Sequence, residues 1–278
     1  MRRQLLACTG ALALVLATGC NGEGEGDIVR VRVPRGASFS QITDSLAAKD
    51  IVAAPPLFEA YARVTGAASK IRPGTYGFRR NTGWRRVLDD LVAGRVLLAK
   101  LVIPEGWDLR GIAPRVSQIT GLAEDSVLEI LANDSLVRVF DVPGPTLEGY
   151  LYPATYTFPL DPPIDSVLDD MVDRYQQVWT AQRRARADSI RMNEREVVTL
   201  ASIIEKEAKK PEEMPLISSV FHNRLRIGYP LQADPTVQYA LGVHRERLLY
   251  SSIDSARNNP YNTYRNAGLP PGPIASPS

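Results

Sequence analysis

Apolar and polar positions first alternate at Val29, Val31 and Val33, with Arg30 and Arg32 between them, the period of a half-buried strand. Pro34-Arg35-Gly36 ends it. Ser38, with Gln41 three positions on, then reads as a capping box opening a helix whose apolar face is Ile42, Leu46 and Ala47. The pattern next predicts a helix from about Pro56 to Val64, a short strand over Thr75–Phe78 after the turn at Pro73-Gly74, and a helix carrying Val87, Leu88 and Leu91 that stops at Gly94. The opening motif then returns. Leu101-Val102-Ile103-Pro104-Glu105-Gly106, with Asp108 as cap and Ile112 beyond, matches Val31-Arg32-Val33-Pro34-Arg35-Gly36 with Ser38 and Ile42. Two copies are too few for a solenoid and mark the openings of two lobes, divided between Gly94 and Ala99.

Further on, Ser126–Leu131 reads as helical, and Leu147–Phe158 as a strand-like aromatic run broken at Pro153. Ile164, Val167, Leu168, Met171, Val172, Tyr175 and Trp179 fall on one face of a long helix. Asn193 and Glu196 cap the next, and Met214–Arg226 carries another. After Gly228 the chain turns loop-rich. The segment Gly268–Ser278 has neither helical nor strand pattern and reads as a connection leading onward. These elements give an α+β fold, with a small N-terminal domain over 28–97 and a mixed α+β domain over 98–278 that reads as lacking its C-terminal end.

The first residues change the picture. Arg2 and Arg3 precede the apolar run Leu5–Ala17, and Ala17-Thr18-Gly19 stands immediately before Cys20. That is the layout of a lipoprotein signal over 1–20 with Cys20 as the lipidated residue. A short membrane anchor is the alternative, although about 13 apolar residues are few for a bilayer that needs about 20. Both place the remainder in the cell envelope, tethered to a membrane and facing the extracytoplasmic side, with Asn21–Asp27 as a flexible tether. Cys8 and Cys20 are the two cysteines, so the exported body contains no disulfide. A net charge of +2, without a basic stripe interleaved with aromatics, argues against nucleic acid as partner.

Few catalytic chemistries are open to this chain. There is no exported cysteine, no Gly-x-Ser-x-Gly and no phosphate loop, and His222 and His244 supply too few ligands for zinc, so neither cofactor nor metal is expected. Carboxylates remain. Val197–Ala208 is apolar over most of its length yet ends in Glu205 and Glu207. On a wheel of about 100° per residue, Val197, Leu200, Ala201, Ile204 and Ala208 form one stripe, the two acids flank it on opposite sides, and Lys206 faces away. Glu207 has Lys210 in ion-pairing range, whereas Glu205 has only small neighbours, Ala201 and Ala208, within its turn. The wheel leans towards Glu205 without choosing. A carboxyl against apolar surface favours its neutral form, which suits a general acid. Tyrosines and amides after Gly228 suit stacking on sugar rings and binding of hydroxyls, although Asp-Pro and Asn-Pro are equally turn punctuation.

Leu200-Ala201-Ser202-Ile203-Ile204-Glu205-Lys206-Glu207-Ala208 resembles the signature of the endolytic murein (peptidoglycan) transglycosylases, the YceG-like family. Ile103-Pro104-Glu105-Gly106, Leu147–Pro153, Asn223-Arg224-Leu225, Leu231–Val237, Pro260–Tyr264 and Gly268–Ile274 agree in order. The resemblance implies a LysM-like first domain, a YceG-like catalytic domain, and Glu205 as the single acid/base. That residue would cut the MurNAc–GlcNAc bond of nascent strands and leave 1,6-anhydro ends that limit glycan length. It also implies peptidoglycan strands and peptidoglycan synthases (penicillin-binding proteins) as partners. The candidate substrate-binding residues in the matching segments are Glu148, Tyr150, Asn223, Arg224, Gln232, Asp234, Tyr261, Asn262 and Tyr264. A non-catalytic peptidoglycan-binding scaffold is the alternative. The chain departs from the family in having Ala154 where Asp is common, in a lipidation motif where most members carry a membrane-spanning anchor, and in stopping short of the family's further strands.

Overall fold

A computed structural model of the protein describes residues 22–243 and 248–278. The signal and lipidation reading of 1–20, with Cys20, lies outside the described residues, as does His244. Among the described residues no helix is long and apolar enough to cross a membrane.

The chain divides into two compact units. One is the described part of Met1–Ala99 with Thr157–Asp161; the other is Lys100–Tyr156 with Pro162–Ser278. The fold is mixed α and β throughout.

In the first unit β1 (Glu23–Val33) is followed by α1 (Phe39–Ala47), α2 (Pro55–Val64), β2 (Gly74–Thr82) and α3 (Trp84–Ala93). β1 and β2 pair antiparallel, with Val31 opposite Tyr76 and Val29 opposite Phe78. The alternation seen in sequence is realised, since Val31 and Val33 are buried and Arg30 and Arg32 exposed. The Ser38 capping box forms as the spacing predicts, Gln41 returning its side-chain oxygen to the Ser38 N–H. α3 stops where Gly94 takes a left-handed conformation. α1, α2 and α3 bury Leu46, Phe58 and Leu91 against the sheet in one core, with Phe39 and Trp84 packed on Phe58.

β1 starts earlier than its alternation suggests. The tether expected over 21–27 is strand from Glu23, opposite Thr82 and Arg80, after which a bulge resets the register before Val29. Gly24 is the reason. It has φ +78, and a Cβ there would stand 2.6 Å from the Thr82 hydroxyl, so glycine here serves close approach of two strands rather than flexibility.

β3 (Leu98–Val102) and β4 (Thr155–Pro159) form a second two-stranded sheet. The strand expected over Leu147–Phe158 is confined to its end; Leu147–Leu151 is instead a buried turn. In the second unit come α4 (Leu109–Thr120), α5 (Glu124–Leu131), α6 (Asp134–Val139), α7 (Ile164–Val178), α8 (Ala181–Ser189), α9 (Glu194–Glu207), α10 (Met214–Arg226), α11 (Asp234–Leu241) and α12 (Tyr250–Ser255). Asp108 caps α4 and Asn193 with Glu196 caps α9, as the sequence predicts. α11 and α12 occupy a stretch whose polarity reads as loop, because Asp234-Pro235 is a helix start as well as turn punctuation.

Phe58 is wholly buried at the centre of the first unit. Phe58→Ala is expected to destabilise the protein by about 3–5 kcal/mol, read as the shift in a denaturant unfolding curve.

Candidate active site

The site is built on α9, which is covered around most of its circumference. Val198, Thr199, Leu200, Ser202 and Ile203 are buried. Apart from Leu200, this is not the stripe that hydrophobicity picks out; Val197, Ala201, Ile204 and Ala208 are only partly buried. One small hydroxyl residue explains part of the difference. The Ser202 hydroxyl donates to the Thr199 carbonyl (2.7 Å) and accepts from the Ile274 N–H (3.0 Å). A serine so satisfied belongs in the core, although a wheel scores it as surface.

That bond also draws the last segment across the site. The Gly106 N–H donates to the Ser276 carbonyl and the Ser276 N–H to the Trp107 carbonyl, each at 2.8 Å. Residues 272–276, expected to form a connection leading away, are buried instead. Gly149, at φ +84, is where this segment crosses the 147–151 turn, a Cβ there falling 2.4 Å from Pro273. A cleft of about 310 Å³ lies in the same unit, lined by Gly106, Trp107, Asp108 and Arg110 from one side, by Pro235, Gln238 and Tyr239 of α11, and by Lys206 and Ile274. Lys206, expected to face away, reaches this cleft and donates to the Gly106 carbonyl (3.1 Å).

Three carboxylates surround this geometry in different environments. Glu205 is half-buried beside Gly106 of the cleft wall. Its Cγ is the atom nearest to the place a Gly106 Cβ would take, at 3.5 Å, and its carboxylate accepts from the Ser278 N–H (3.2 Å) and hydroxyl (2.9 Å). Glu207 makes no ion pair with Lys210. Its carboxylate instead accepts the backbone N–H of Asp234 at the start of α11, and burial together with the nearby Asp234 charge raises its pKa. Glu148 is sealed from solvent. One oxygen accepts the Leu109 N–H (3.2 Å) and the other has no hydrogen-bond partner. Burial first, with Asp108 adding repulsion, pushes its pKa up to about 8, while the Leu109 bond, Tyr239 and Arg110 pull the other way.

The other candidate residues divide in the same manner. Glu148, Tyr150 and Asn262 are buried, so their side chains are enclosed in the unit rather than presented at its surface. Tyr150 packs edge-on against Tyr175 at 5.1 Å, and the Asn262 amide donates to the Ile253 and Ala256 carbonyls. Arg224 donates to the Leu231 carbonyl and lies over the Tyr229 ring. The Tyr264 hydroxyl donates to Asp234 (2.5 Å), which ties that loop to the start of α11. Gln232 is held at φ +50, with its N–H on the Thr263 carbonyl. Tyr261 stacks obliquely on Tyr239 at 4.9 Å. Asn223 is exposed on α10, beside a different cleft. Gly106 and Trp107 belong to the repeated Pro-x-Gly stop and Lys206 lies inside the Leu200–Ala208 motif, whereas Tyr239 has no catalytic pattern around it. No three His, Cys, Asp or Glu side chains among the described residues converge to hold a metal ion.

A sequence model of the YceG-like family matches residues 31–278. The chain belongs to the YceG-like family. A protein of Bacillus subtilis named endolytic murein transglycosylase is 32% identical over 270 residues, covering 89% of this chain and 72% of that protein. One of the same name from Streptococcus pneumoniae is 30% identical over 282 residues; the match covers 90% of this chain and half of that longer protein. The crystal structure of a YceG-like protein of Listeria monocytogenes superposes with a TM-score of 0.60 at 33% identity, covering 91% of this chain and 87% of that one. With the Listeria protein this YceG-like chain thus shares fold as well as sequence.

Glu148 gives this YceG-like unit a pH-dependent stability. Its folded pKa lies above the ordinary 4.5, so the folded state holds a proton that the unfolded chain has released. The contribution is full below about pH 4.5 and is lost as pH rises through about 8. Thermal melts should fall across that window, and Glu148→Gln, which keeps a neutral amide there, should flatten the fall.

Proposed function

We propose that the chain is a lytic transglycosylase that cleaves peptidoglycan strands internally, with Glu205 as its single acid/base. The observation that carries the reading is the different fate of the three carboxylates. Glu148 is enclosed and Glu207 serves the start of α11, while Glu205 is half-buried beside Gly106 of the cleft wall and, among the described residues, hydrogen-bonds only with Ser278. The names of the relatives support the substrate and the reaction class.

In this reading protonated Glu205 gives its proton to the oxygen between N-acetylmuramic acid and N-acetylglucosamine, and the C1–O bond breaks. The same carboxylate then takes the proton of the muramyl 6-hydroxyl, whose oxygen closes on C1. The products are a 1,6-anhydro end and a free N-acetylglucosamine hydroxyl, with no water consumed. This differs from glycosidases that use two carboxylates, one of them to activate water or form a covalent intermediate. Tyr239 and Trp107 offer aromatic faces along the cleft, and Lys206 and Arg110 offer donors.

The first unit is proposed as the LysM-like, glycan-holding domain, resting on its β1–α1–α2–β2 order with the two strands paired. Anchorage through Cys20, an extracytoplasmic location and work beside peptidoglycan synthases complete the proposal. The Ser278 contact on Glu205 favours a second reading, a scaffold that binds glycan without turnover.

Glu205→Gln keeps the shape and removes the acid. It is expected to lower turnover of purified glycan strands by at least about a hundredfold, in line with the usual contribution of general acid–base catalysis. Anhydro-muropeptide formation, followed by mass spectrometry, checks this. Unchanged formation in the variant removes Glu205 from the mechanism. Reducing-end muramic acid in place of the anhydro form makes the enzyme a hydrolase, and glycan binding without products from the wild type favours the scaffold.

A further inference from the structure

A second and larger cleft of about 1050 Å³ lies in the same unit, between the α8–α9 connection, α9, α10 and residues 268–271. Arg191, Arg195 and Arg226 line it from three different elements. Among the described residues none of them forms an ion pair, and Arg226 alone has a side-chain partner, the Asn223 amide oxygen. The one acid at the edge, Glu196, is committed to the Asn193 N–H. The cleft is therefore cationic.

Two further features say what sort of anion fits. The Thr199 side chain lines the cleft, is 1% exposed, and its hydroxyl has no hydrogen-bond partner. An unpaired buried hydroxyl is costly, and Thr199 leaves one at the cleft wall. The walls between the arginines are apolar, from Met192, Leu225, Leu269 and Pro270. Cations from three elements, together with this apolar wall, suit an elongated ligand that carries both carboxylates and small apolar groups. A compact phosphate headgroup wants its donors converging on one point.

We propose that this cleft binds the acidic peptide stem carried by the glycan strand, a proposal that rests on peptidoglycan being the substrate. Thr199 precedes Glu205 by about 9 Å along the α9 axis, at about 1.5 Å per residue. At about 100° per residue the two side chains also stand about 120° apart around the helix, so an extended peptide of about four or five residues at up to ~3.6 Å each passes from one to the other. Cutting at Glu205 and holding a stem beside Thr199 are thus compatible on one strand. The cleft makes the enzyme selective for strands whose stems keep their carboxylates.

The test is titration calorimetry of the full chain with a free acidic stem tetrapeptide, set against the same peptide with its carboxyls amidated and against vesicles containing an anionic phospholipid. The acidic peptide is expected to bind at least about tenfold more tightly than the amidated one, and the double variant Arg195→Gln/Arg226→Gln to lose that margin. The ratio of turnover on stem-bearing to peptide-free strands should fall by a similar factor in the variant. Equal binding of the two peptides overturns the proposal, as does a variant that binds the acidic peptide like wild type, or arginine-dependent binding of vesicles with none of peptide. Circular dichroism of the variant verifies the fold. Because calorimetry reads binding without turnover, a wild type that cuts no glycan refutes the proposed activity while the peptide titration still decides the cleft.

Discussion

The Ser202–Ile274 hydrogen bond is the constraint from which the site follows. It places a hydroxyl in the core of the second unit and gives it a backbone partner far along the chain. The last described segment must then run beside α9, where Gly106, Trp107 and Ser276 complete the seam. The middle of α9 is enclosed, and its last turn carries charge. Glu205, Lys206 and Glu207 emerge there, and each meets a different neighbour.

Environment rather than residue type then divides the acids. Glu148 sits among Tyr239, Tyr261 and Asp108, where charge is poorly solvated and the neutral form prevails. Glu207 meets the positive end of α11 and a backbone donor, which tie its carboxylate to structure. Glu205 keeps the hydroxyl-bearing Ser278 as its partner. Carboxylates of the same chemistry, two of them within one helical turn, are thereby given separate work.

Much of this was legible in the chain. The capping boxes at Ser38 and Asn193, the Asp108 cap, the stop at Gly94 and the face of α7 follow from local spacing, which the folded protein keeps. Long-range demands were not legible. The early start of β1 depends on Gly24 passing close to Thr82, and the buried face of α9 depends on a partner at Ile274. Buried polar residues defeated the site reading most often. Glu148, Tyr150 and Asn262 carry groups that suit sugar binding, yet each is spent on the interior, and nothing in their own neighbourhoods of sequence says so. The lean towards Glu205 rested on its small neighbours Ala201 and Ala208 and on an ion pair between Glu207 and Lys210 that does not form; the backbone of α11 occupies Glu207 instead.

The brief return of the chain to the first unit at Thr157–Asp161 bears on how the protein is made. Leu160 donates its N–H to the Leu97 carbonyl, and both residues belong to that unit. During N-to-C synthesis the first unit therefore waits, its last strand unpaired at Leu98 and Ala99, until more than fifty intervening residues of the second unit have emerged. Neither unit is a cassette that a single cut would release intact. Transplanting or shuffling either one means carrying the crossing strands with it.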